Sequence, residues 1–361
     1  QMIYKIYQKY LINDFIKIFL KTSFVFFVLI LLLNVLEEIS FFKDESEVSM
    51  LLPIKLTLLN SPSVLFDIFP FIFFITTQFF FIKILDNQEI NILKFYGISN
   101  FQIIKLLALI TFIMSIIINV FFYNISAKLK FNYLDIKNGY SNDDKYLATI
   151  TDNGMWIKDE INGNFNIIHA SKIDNATLID IQIMQFDKGF NLEQSIFSDK
   201  ANIKKKLWVL EKVNISKDNK LIEKDEFLFE SNFNSEKINK LFSDLHSLTY
   251  FQLKELKENY FNLGYTTADV DVHFNNLYKY SFYTTLMTIF ASVIMFYIKR
   301  NKSKVFYLIL GIIISVVIYY INYFSNILGQ NLNLSPLFSS CAPLILLMLV
   351  SSIQLININE K

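Results

Sequence analysis

Residues with side chains suited to acid–base or metal chemistry are few in this sequence and widely spaced. The three histidines, His169, His246 and His273, have no HExxH or paired-carboxylate spacing around them, which favours surface or packing roles over a metal or hydrolytic site. The single cysteine, Cys341, lies in an apolar run, where a small packed thiol is expected and an intrachain disulfide is impossible. The sequence contains neither a GxSxG elbow nor a Walker A motif. We therefore expect a chain that is not an enzyme, with no catalytic residue, no metal and no cofactor.

The stretch with the most informative spacing is 86–101, DNQEINILKFYGISNF, which lies between two long apolar runs. Its apolar residues fall at near-helical spacing among polar ones: Ile90, Leu93, Phe95 and Ile98, against Glu89, Asn91 and Lys94. This pattern predicts a short helix at the membrane surface. Gly97, followed by Ile98 and Ser99, can close that helix and restart the chain into the next span. A solvated connector is the alternative, but a turn of this geometry favours a docking surface.

The composition is that of an integral membrane protein. Of 361 residues, 53% are hydrophobic and 38 are Phe, and the mean hydropathy is +0.36. The net charge of +1 gives no support for nucleic-acid binding. A membrane span needs roughly 20 apolar residues, and six stretches meet or approach that length: 15–36, 64–85, 103–123, 280–298, 305–324 and 337–355. Three precede a long polar insert and three follow it, and Pro70 in the second is expected to leave a carbonyl for a neighbouring helix to satisfy.

The distribution of basic residues predicts the orientation. The short segments on one side carry most of them: Lys5, Lys9, Lys17, Lys21, Lys83, Lys94, Lys105, Lys299, Arg300, Lys302 and Lys304. On the other side, Lys43 and Lys55 lie among acidic residues, and the segment 326–335 has no charge. By the positive-inside rule both termini and the segment 86–101 are cytoplasmic, and the insert lies outside.

The insert changes from helical periodicity to alternation. Ile179, Ile181 and Ile183 alternate with polar residues, and turn signals occur at 152–154, 162–163, 187–189 and 218–219. This pattern predicts an antiparallel sandwich or open roll. The expected fold is a membrane α-helical bundle of six transmembrane helices (3+3) with an antiparallel β-domain on the outer side. The expected domains are 1–125, 126–266 and 267–361.

Two capping boxes follow the predicted strands. Thr249 with Gln252 predicts a helix over 250–263, ended by Gly264. Thr266 with Asp269 predicts a second helix that runs into the fourth span. Such a helix would join the outer domain to the membrane without a slack linker.

Several short motifs resemble those of a known family. Ser61-Pro62-Ser63 leading into Phe69-Pro70, the segment 89–99, and Leu334-Ser335-Pro336-Leu337 followed by Pro343 resemble the LptF/LptG (YjgP/YjgQ) permeases, the membrane subunits of the lipopolysaccharide export ABC transporter. Residues 154–159 and 165–168 resemble the first strands of the LptG outer domain. The chain is therefore more similar to LptG than to LptF.

The resemblance implies a function and a set of partners. The chain would extract lipopolysaccharide from the inner membrane and pass it to a periplasmic bridge for export to the outer membrane. It would pair with an LptF-like paralogue, above an LptB-like ATPase dimer, and meet an LptC-like single-span protein and an LptA-like bridge. The segment 86–101 would be the coupling helix, with Asp86, Glu89, Leu93 and Gly97 as coupling residues and Glu89 as the acidic residue at the ATPase groove. The first and fifth spans would form a lateral gate, and the outer domain would be a periplasmic antiparallel β-jellyroll-like domain.

Contacts to the phosphates of the lipid depart from the family pattern. Where the first span of well-known members carries a basic residue, this chain has Leu33-Asn34-Val35-Leu36-Glu37. Lys43, Lys128 and Lys130, each near an outer interface, are the candidate lipid-phosphate contacts. Interfacial anchoring is their alternative role.

Three other classes of protein are weighed against this interpretation. The spans after Lys21 are almost free of charge, which disfavours an ion-coupled transporter and favours an ATPase as the energy source. A non-transporting membrane scaffold or receptor with an outer β-domain remains an alternative. A permease of the lipoprotein-release type is disfavoured, because that group has one span before its outer domain and this chain has three.

Overall fold

The computed structural model describes residues 2–43, 49, 51–138, 140, 148–151, 154–161, 164–174, 176–187, 189, 191–217, 220–235, 244–262, 266–296 and 304–359. The chain divides into two compact units. The first, Gln1–Tyr133 with His246–Thr249 and Asp271–Lys361, contains the apolar helices. The second, Leu134–Leu245 with Tyr250–Val270, contains an antiparallel sheet.

The described helices follow the apolar and amphipathic runs of the sequence. They are α1 (Met2–Phe41), α2 (Leu51–Asp86), α3 (Glu89–Phe95), α4 (Asn100–Ile117), α5 (Tyr123–Asn138), α6 (Tyr250–Asn262), α7 (Ala268–Phe296), α8 (Lys304–Gln330) and α9 (Pro336–Asn359). A π-helical turn, Ile118–Phe122, joins α4 to α5. Helical structure thus continues beyond residue 125 to Asn138 before the first strand begins.

Five of the described helices are long and apolar enough to cross a membrane. They are α1, α2, the continuous α4–α5 helix, α8 and α9, which confirms five of the six predicted spans. The sixth, 280–298, falls in α7, whose 29 residues extend about 44 Å at the rise of an α-helix. Polar residues along α7 include Lys279 and several hydroxyl side chains. Thr284, Thr285 and Ser292 each donate to the carbonyl four residues earlier. The crossing of the membrane by α7 stays a prediction.

Pro70 lies inside α2, and its missing N–H leaves the carbonyl of Phe66 without a helical donor. The hydroxyl of Tyr280, on α7, donates to that carbonyl at 3.0 Å. The rings of Phe66 and Tyr280 also stack, with centroids 4.6 Å apart. A neighbouring helix therefore satisfies the freed carbonyl, as the sequence predicts.

The second unit is built on seven described strands. They are β1 (Ala148–Thr151), β2 (Gly154–Ile161), β3 (Asn164–Asp174), β4 (Thr177–Phe186), β5 (Leu192–Asn202), β6 (Leu207–Lys217) and β7 (Lys220–Glu230). Each pairs antiparallel with its neighbour in sequence, in the order β1-β2-β3-β4-β5-β6-β7. This confirms the predicted antiparallel β-domain, and the sequential order is that of an antiparallel meander. The turn signals at 162–163 and 218–219 separate β2 from β3 and β6 from β7, although these turn residues lie outside the described ranges.

One face of the sheet carries the core of this unit, but the alternation has a break that the sequence does not reveal. Leu178 is buried near the start of β4, and then Ile181 and Ile183 are buried, so the inward phase changes between them. Asp180 lies at that change with a φ of 51°. A residue in this left-handed conformation shifts the side chains that follow to the other face. Lys212, also at φ 51°, marks the same kind of change in β6.

The helices after the sheet begin next to the predicted capping boxes, although the hydrogen bond recorded at the second box involves Ala268 and not Asp269. Helix α6, Tyr250–Asn262, begins directly after Thr249, and Gly264 lies outside the described residues. The hydroxyl of Thr266 accepts from the amide of Ala268, the first residue of α7, at 3.3 Å. Helix α7 then continues without a break from Ala268 to Phe296, and from Asp271 onward it belongs to the first unit.

Candidate functional site

The segment predicted to dock a partner forms a helix with a defined stop. Helix α3 ends in a pair of hydrogen bonds, from the amide of Ile98 to the carbonyl of Leu93 at 3.0 Å and from the amide of Gly97 to that of Lys94 at 2.9 Å. This pairing is a Schellman motif, and it requires the left-handed conformation that Gly97 adopts at φ 80°. The motif fixes α3 as a separate short helix, as the sequence predicts.

The next helix restarts immediately. Ser99 accepts from the amide of Gln102 at 3.2 Å through its hydroxyl, and the side chain of Gln102 accepts from the amide of Ser99 at 3.0 Å. This reciprocal pair is a capping box and opens α4. The turn between α3 and α4 is therefore hydrogen-bonded at both of its ends. These bonds fix the direction of α3 relative to α4.

Apolar side chains attach α3 to the helices of its unit. Ile90, Leu93 and Ile98 are buried. Leu93, one of the predicted coupling residues, is thus a packing residue in this structure. Asp86, another, forms an ion pair with Lys304 at the start of α8.

Glu89, the predicted acidic contact, is held by its own chain. One carboxylate oxygen accepts from the hydroxyl of Tyr10 on α1 at 3.0 Å and from the side-chain amide of Asn87 at 2.8 Å. The other oxygen, Oε2, is buried and has no hydrogen-bond partner among the described residues. The structure thus connects Glu89 to α1 and leaves one oxygen for a further donor.

The surface that α3 presents is aromatic and apolar. Phe95 is 86% exposed, Tyr96 61% and Ile92 55%, and the rings of Phe95 and Tyr96 pack edge to face, 5.7 Å between centroids. We define these three residues as the α3 knob. The sequence pattern placed Phe95 in one apolar set with Ile90, Leu93 and Ile98, and it missed Ile92 and Tyr96. The available signal was the spacing of 92, 95 and 96, which gives the helix a second apolar stripe.

The three lysines predicted to contact lipid phosphates differ in their surroundings. Lys43 and Lys128 are exposed. Lys130 is half-buried; its ammonium donates to Asn60 at 2.7 Å and lies 5.0 Å from the centroid of the Tyr133 ring. The hydroxyl of Tyr133 donates in turn to Glu38 at 2.8 Å. Lys130 therefore joins α5 to α2, and its role toward a lipid stays a prediction.

Two of the histidines meet beside a cavity of about 320 Å³ in the first unit. His246 lies 3.5 Å from Asp67, and its ring centroid is 4.9 Å from that of His273. The hydroxyl of Tyr123 donates to the carbonyl of Leu248, so its lone pair accepts from Nε2 of His273 at 3.0 Å. Burial lowers the pKa of His273 to about 3, and the neighbouring His246 adds to this effect. His273 is thus a neutral packing residue, which is one of the two roles, surface or packing, that the sequence predicts for the histidines.

Metal chemistry finds no support in the described part of the chain. Within these residues, no group of three or more His, Cys, Asp or Glu side chains could hold a metal ion. The described residues therefore suggest a docking role for α3. One apolar face of this helix packs against its own unit, and the other apolar face is exposed.

The fold and this segment define a class: a multi-spanning membrane protein with an inserted antiparallel β-domain and a surface helix suited to docking a partner. The sequence model of the family described as lipopolysaccharide export system permease LptF/LptG matches residues 9–357. The chain therefore belongs to the LptF/LptG family, whose members are permeases of the lipopolysaccharide export system in the inner membrane. This confirms the resemblance drawn from the motifs, while the preference for LptG over LptF stays a prediction. No curated protein matches this chain.

Proposed function

We propose that this chain is a transmembrane subunit of an ABC transporter that extracts lipopolysaccharide from the inner membrane and passes it to a periplasmic bridge. In this proposal both termini and α3 are cytoplasmic and the β-domain is periplasmic. An LptB-like ATPase dimer binds α3, and an LptF-like paralogue, an LptC-like single-span protein and an LptA-like bridge complete the path. The family membership supports the transport role, and the lysines on the side of α3 support the orientation.

The observation that carries the proposal is the α3 knob. An exposed Phe95–Tyr96 pair at the end of a helix that is closed by a Schellman motif suits insertion into a groove of a partner. Aromatic side chains dominate the binding energy of many interfaces, because they bury a large area at a small cost in conformational entropy. A rigid helix in a groove also transmits force, which a flexible loop cannot do.

Polar contacts connect this segment to the two helices expected to form the lateral gate. Glu89 accepts from Tyr10 on α1, and Lys83, near the end of α2, forms an ion pair with Asp14 on α1. Asp86 pairs with Lys304 at the start of α8, which is the fifth predicted span. Only the Glu89–Tyr10 contact starts from α3 itself, whereas Lys83 and Asp86 lie in the last turn of α2, directly before α3. A movement of α3 therefore acts on α1 directly, and on α1 and α8 through the end of α2. Closure of the ATPase would shift α3 and, through these contacts, narrow the space between the gate helices.

The transported lipid would lie along the apolar helices. The exposed, Phe-rich surface of the first unit suits acyl chains, since apolar area is more stable against hydrocarbon than against water. Lys43 and Lys128 are exposed and free to meet phosphates at the outer interface, with Lys130 as the third candidate. We propose no catalytic role for any residue of the chain.

The test of the knob is co-purification with the ATPase. Replacing Phe95 and Tyr96 by Ala should reduce the bound ATPase about tenfold or more, because two exposed aromatic anchors are lost. Phe251→Ala is the matched control, since Phe251 is also 86% exposed but lies in the second unit. Full ATPase binding by the double variant would rule out the knob as the docking surface.

A second experiment tests the transmission. Tyr10→Phe with Asp14→Asn removes two of the contacts to α1 without touching the knob. We expect ATPase binding and ATP hydrolysis to persist while release of lipopolysaccharide from proteoliposomes falls severalfold. Lys9→Gln, an exposed change on the same helix, should leave release unchanged. Equal release by the Tyr10/Asp14 variant and the control would contradict the proposed transmission.

A further inference from the structure

The first unit contains a groove between α4, α7 and α9 that neither the knob nor the gate contacts use. Its cavity volume is about 270 Å³. The wall is apolar and includes Ile104, Ala108, Leu286, Ile289 and Leu355, and the polar residues Lys105, Ser351 and Ser352 also line it. The groove thus combines one cation and two hydroxyls with a hydrocarbon-like wall.

Ser351 gives the first sign of a ligand. Ser351 lines the groove and is only 2% exposed. Its hydroxyl has no hydrogen-bond partner among the described residues. Serine and threonine in apolar helices normally donate to the carbonyl four residues earlier, as Thr284 and Ser292 do in α7. Because a buried hydroxyl without a partner is unfavourable, the groove offers a donor to whatever fills it.

Lys105 gives the second sign. Helix α4 begins at Asn100, so Lys105 is about 8 Å along the helix from the membrane face where α3 lies. An exposed ammonium at that depth is level with lipid headgroups, and basic pockets between transmembrane helices bind anionic headgroups. The charge of the groove therefore favours an anion rather than a zwitterion.

We propose that this groove binds one anionic glycerophospholipid from the leaflet on the α3 side. Its phosphate meets Lys105, an ester carbonyl accepts from Ser351, and one acyl chain packs on Ile104, Ala108 and Leu286. The bound lipid fastens α4, which directly follows α3, to α7 and α9. The site is independent of the transported lipopolysaccharide and of the ATPase.

Native mass spectrometry of the full chain in detergent tests the proposal. Phosphatidylglycerol, phosphatidylcholine and lipid A are titrated separately against the purified protein. We expect one saturable phosphatidylglycerol adduct, and phosphatidylcholine bound about fivefold more weakly, the effect of one basic side chain near an anionic headgroup. Equal binding of phosphatidylglycerol and phosphatidylcholine, or displacement of the adduct by lipid A, would overturn the assignment.

Variants locate the adduct. Lys105→Gln should abolish the preference for phosphatidylglycerol, while Lys9→Gln should retain it. Ala108→Trp fills the groove and should remove the adduct, while Leu109→Trp, on the exposed neighbour, should not. Phosphatidylglycerol should also raise the thermal unfolding midpoint of the native chain and of Leu109→Trp but not of Ala108→Trp. Retention of the preference by Lys105→Gln, or of the adduct by a folded Ala108→Trp or Ala108→Phe chain, would refute the site.

Discussion

The hydroxyl of Tyr280 donates to the carbonyl of Phe66 at 3.0 Å, and that carbonyl lacks a helical donor because residue 70 is proline. Tyr280→Phe should therefore destabilise the first unit by about 1 kcal/mol, a typical value for a hydrogen bond between membrane helices. The measurement is the thermal unfolding midpoint in detergent. Tyr320→Phe, on a half-exposed tyrosine of α8, is the control.

A double-mutant cycle makes this test specific. Pro70→Ala restores an amide that can reach Phe66, so Tyr280→Phe should cost much less in that background. An equal cost in both backgrounds would show that Tyr280 stabilises the unit through something other than the freed carbonyl.

Gly97→Ala should loosen the end of α3. The φ of 80° is strained for a residue with a Cβ, although the space around Gly97 is open. The expected cost is about 1 kcal/mol, and Gly97→Asn should cost less because Asn tolerates this conformation. Hydrogen exchange at the amide of Ile98, which bonds to Leu93, should be faster in the Ala variant. Unchanged exchange in Gly97→Ala would contradict the role of the Schellman motif.

Asp159→Asn should destabilise the β-domain. The carboxylate is buried and accepts from Ser231 at 2.8 Å and from the amide and side chain of Asn232, both at 3.0 Å. In the Asn variant, a side-chain NH₂ group would replace one carboxylate oxygen and face the donors of Ser231 and Asn232. The expected loss in the free energy of unfolding is about 2 kcal/mol. Thermal unfolding of the full chain measures the loss. Asp199→Asn, in the exposed pair with Lys212, should change stability by less than about 1 kcal/mol, and an equal effect of the two would contradict this account.

The stability of the first unit should fall with acidification below pH 6.5. The pKa of His273 is lowered by burial to about 3 from 6.5, so the unfolded chain binds the proton first as the pH falls. The stabilisation is complete above pH 6.5 and is lost toward pH 3, at no more than about 1.4 kcal/mol per pH unit. His273→Gln should flatten this dependence between pH 7.5 and 5, while His169→Gln, in the sheet, should not. A steep dependence that survives in His273→Gln would contradict the assignment.

Local chemistry explains what the sequence could predict. The end of α3 at Gly97 and the start of α4 at Ser99 depend on neighbouring residues only, and both predictions are confirmed. The freed carbonyl opposite Pro70 follows from the geometry of proline, although its donor, Tyr280, could not be named from the sequence.

Tertiary contacts decide the rest. Helix α3 has two apolar stripes, and only its packing on the helices of its unit determines that Leu93 is buried and Phe95 exposed. The phase change at Asp180 depends on a backbone conformation that its side chain does not signal. Helix α7 carries charged residues in its first half and hydroxyl residues in its second, so composition alone leaves its membrane crossing a prediction.

The sidedness of α3 tests the central claim, that α3 meets the ATPase on one face of the membrane and the β-domain acts on the other. Phe95→Cys and Phe251→Cys are made separately in a Cys341→Ser background. Both positions are 86% exposed, so a difference in labelling would not come from a difference in side-chain exposure. A membrane-impermeant maleimide should label Phe251→Cys in spheroplasts and Phe95→Cys only in inverted vesicles. Labelling of both positions from the same side would contradict the account.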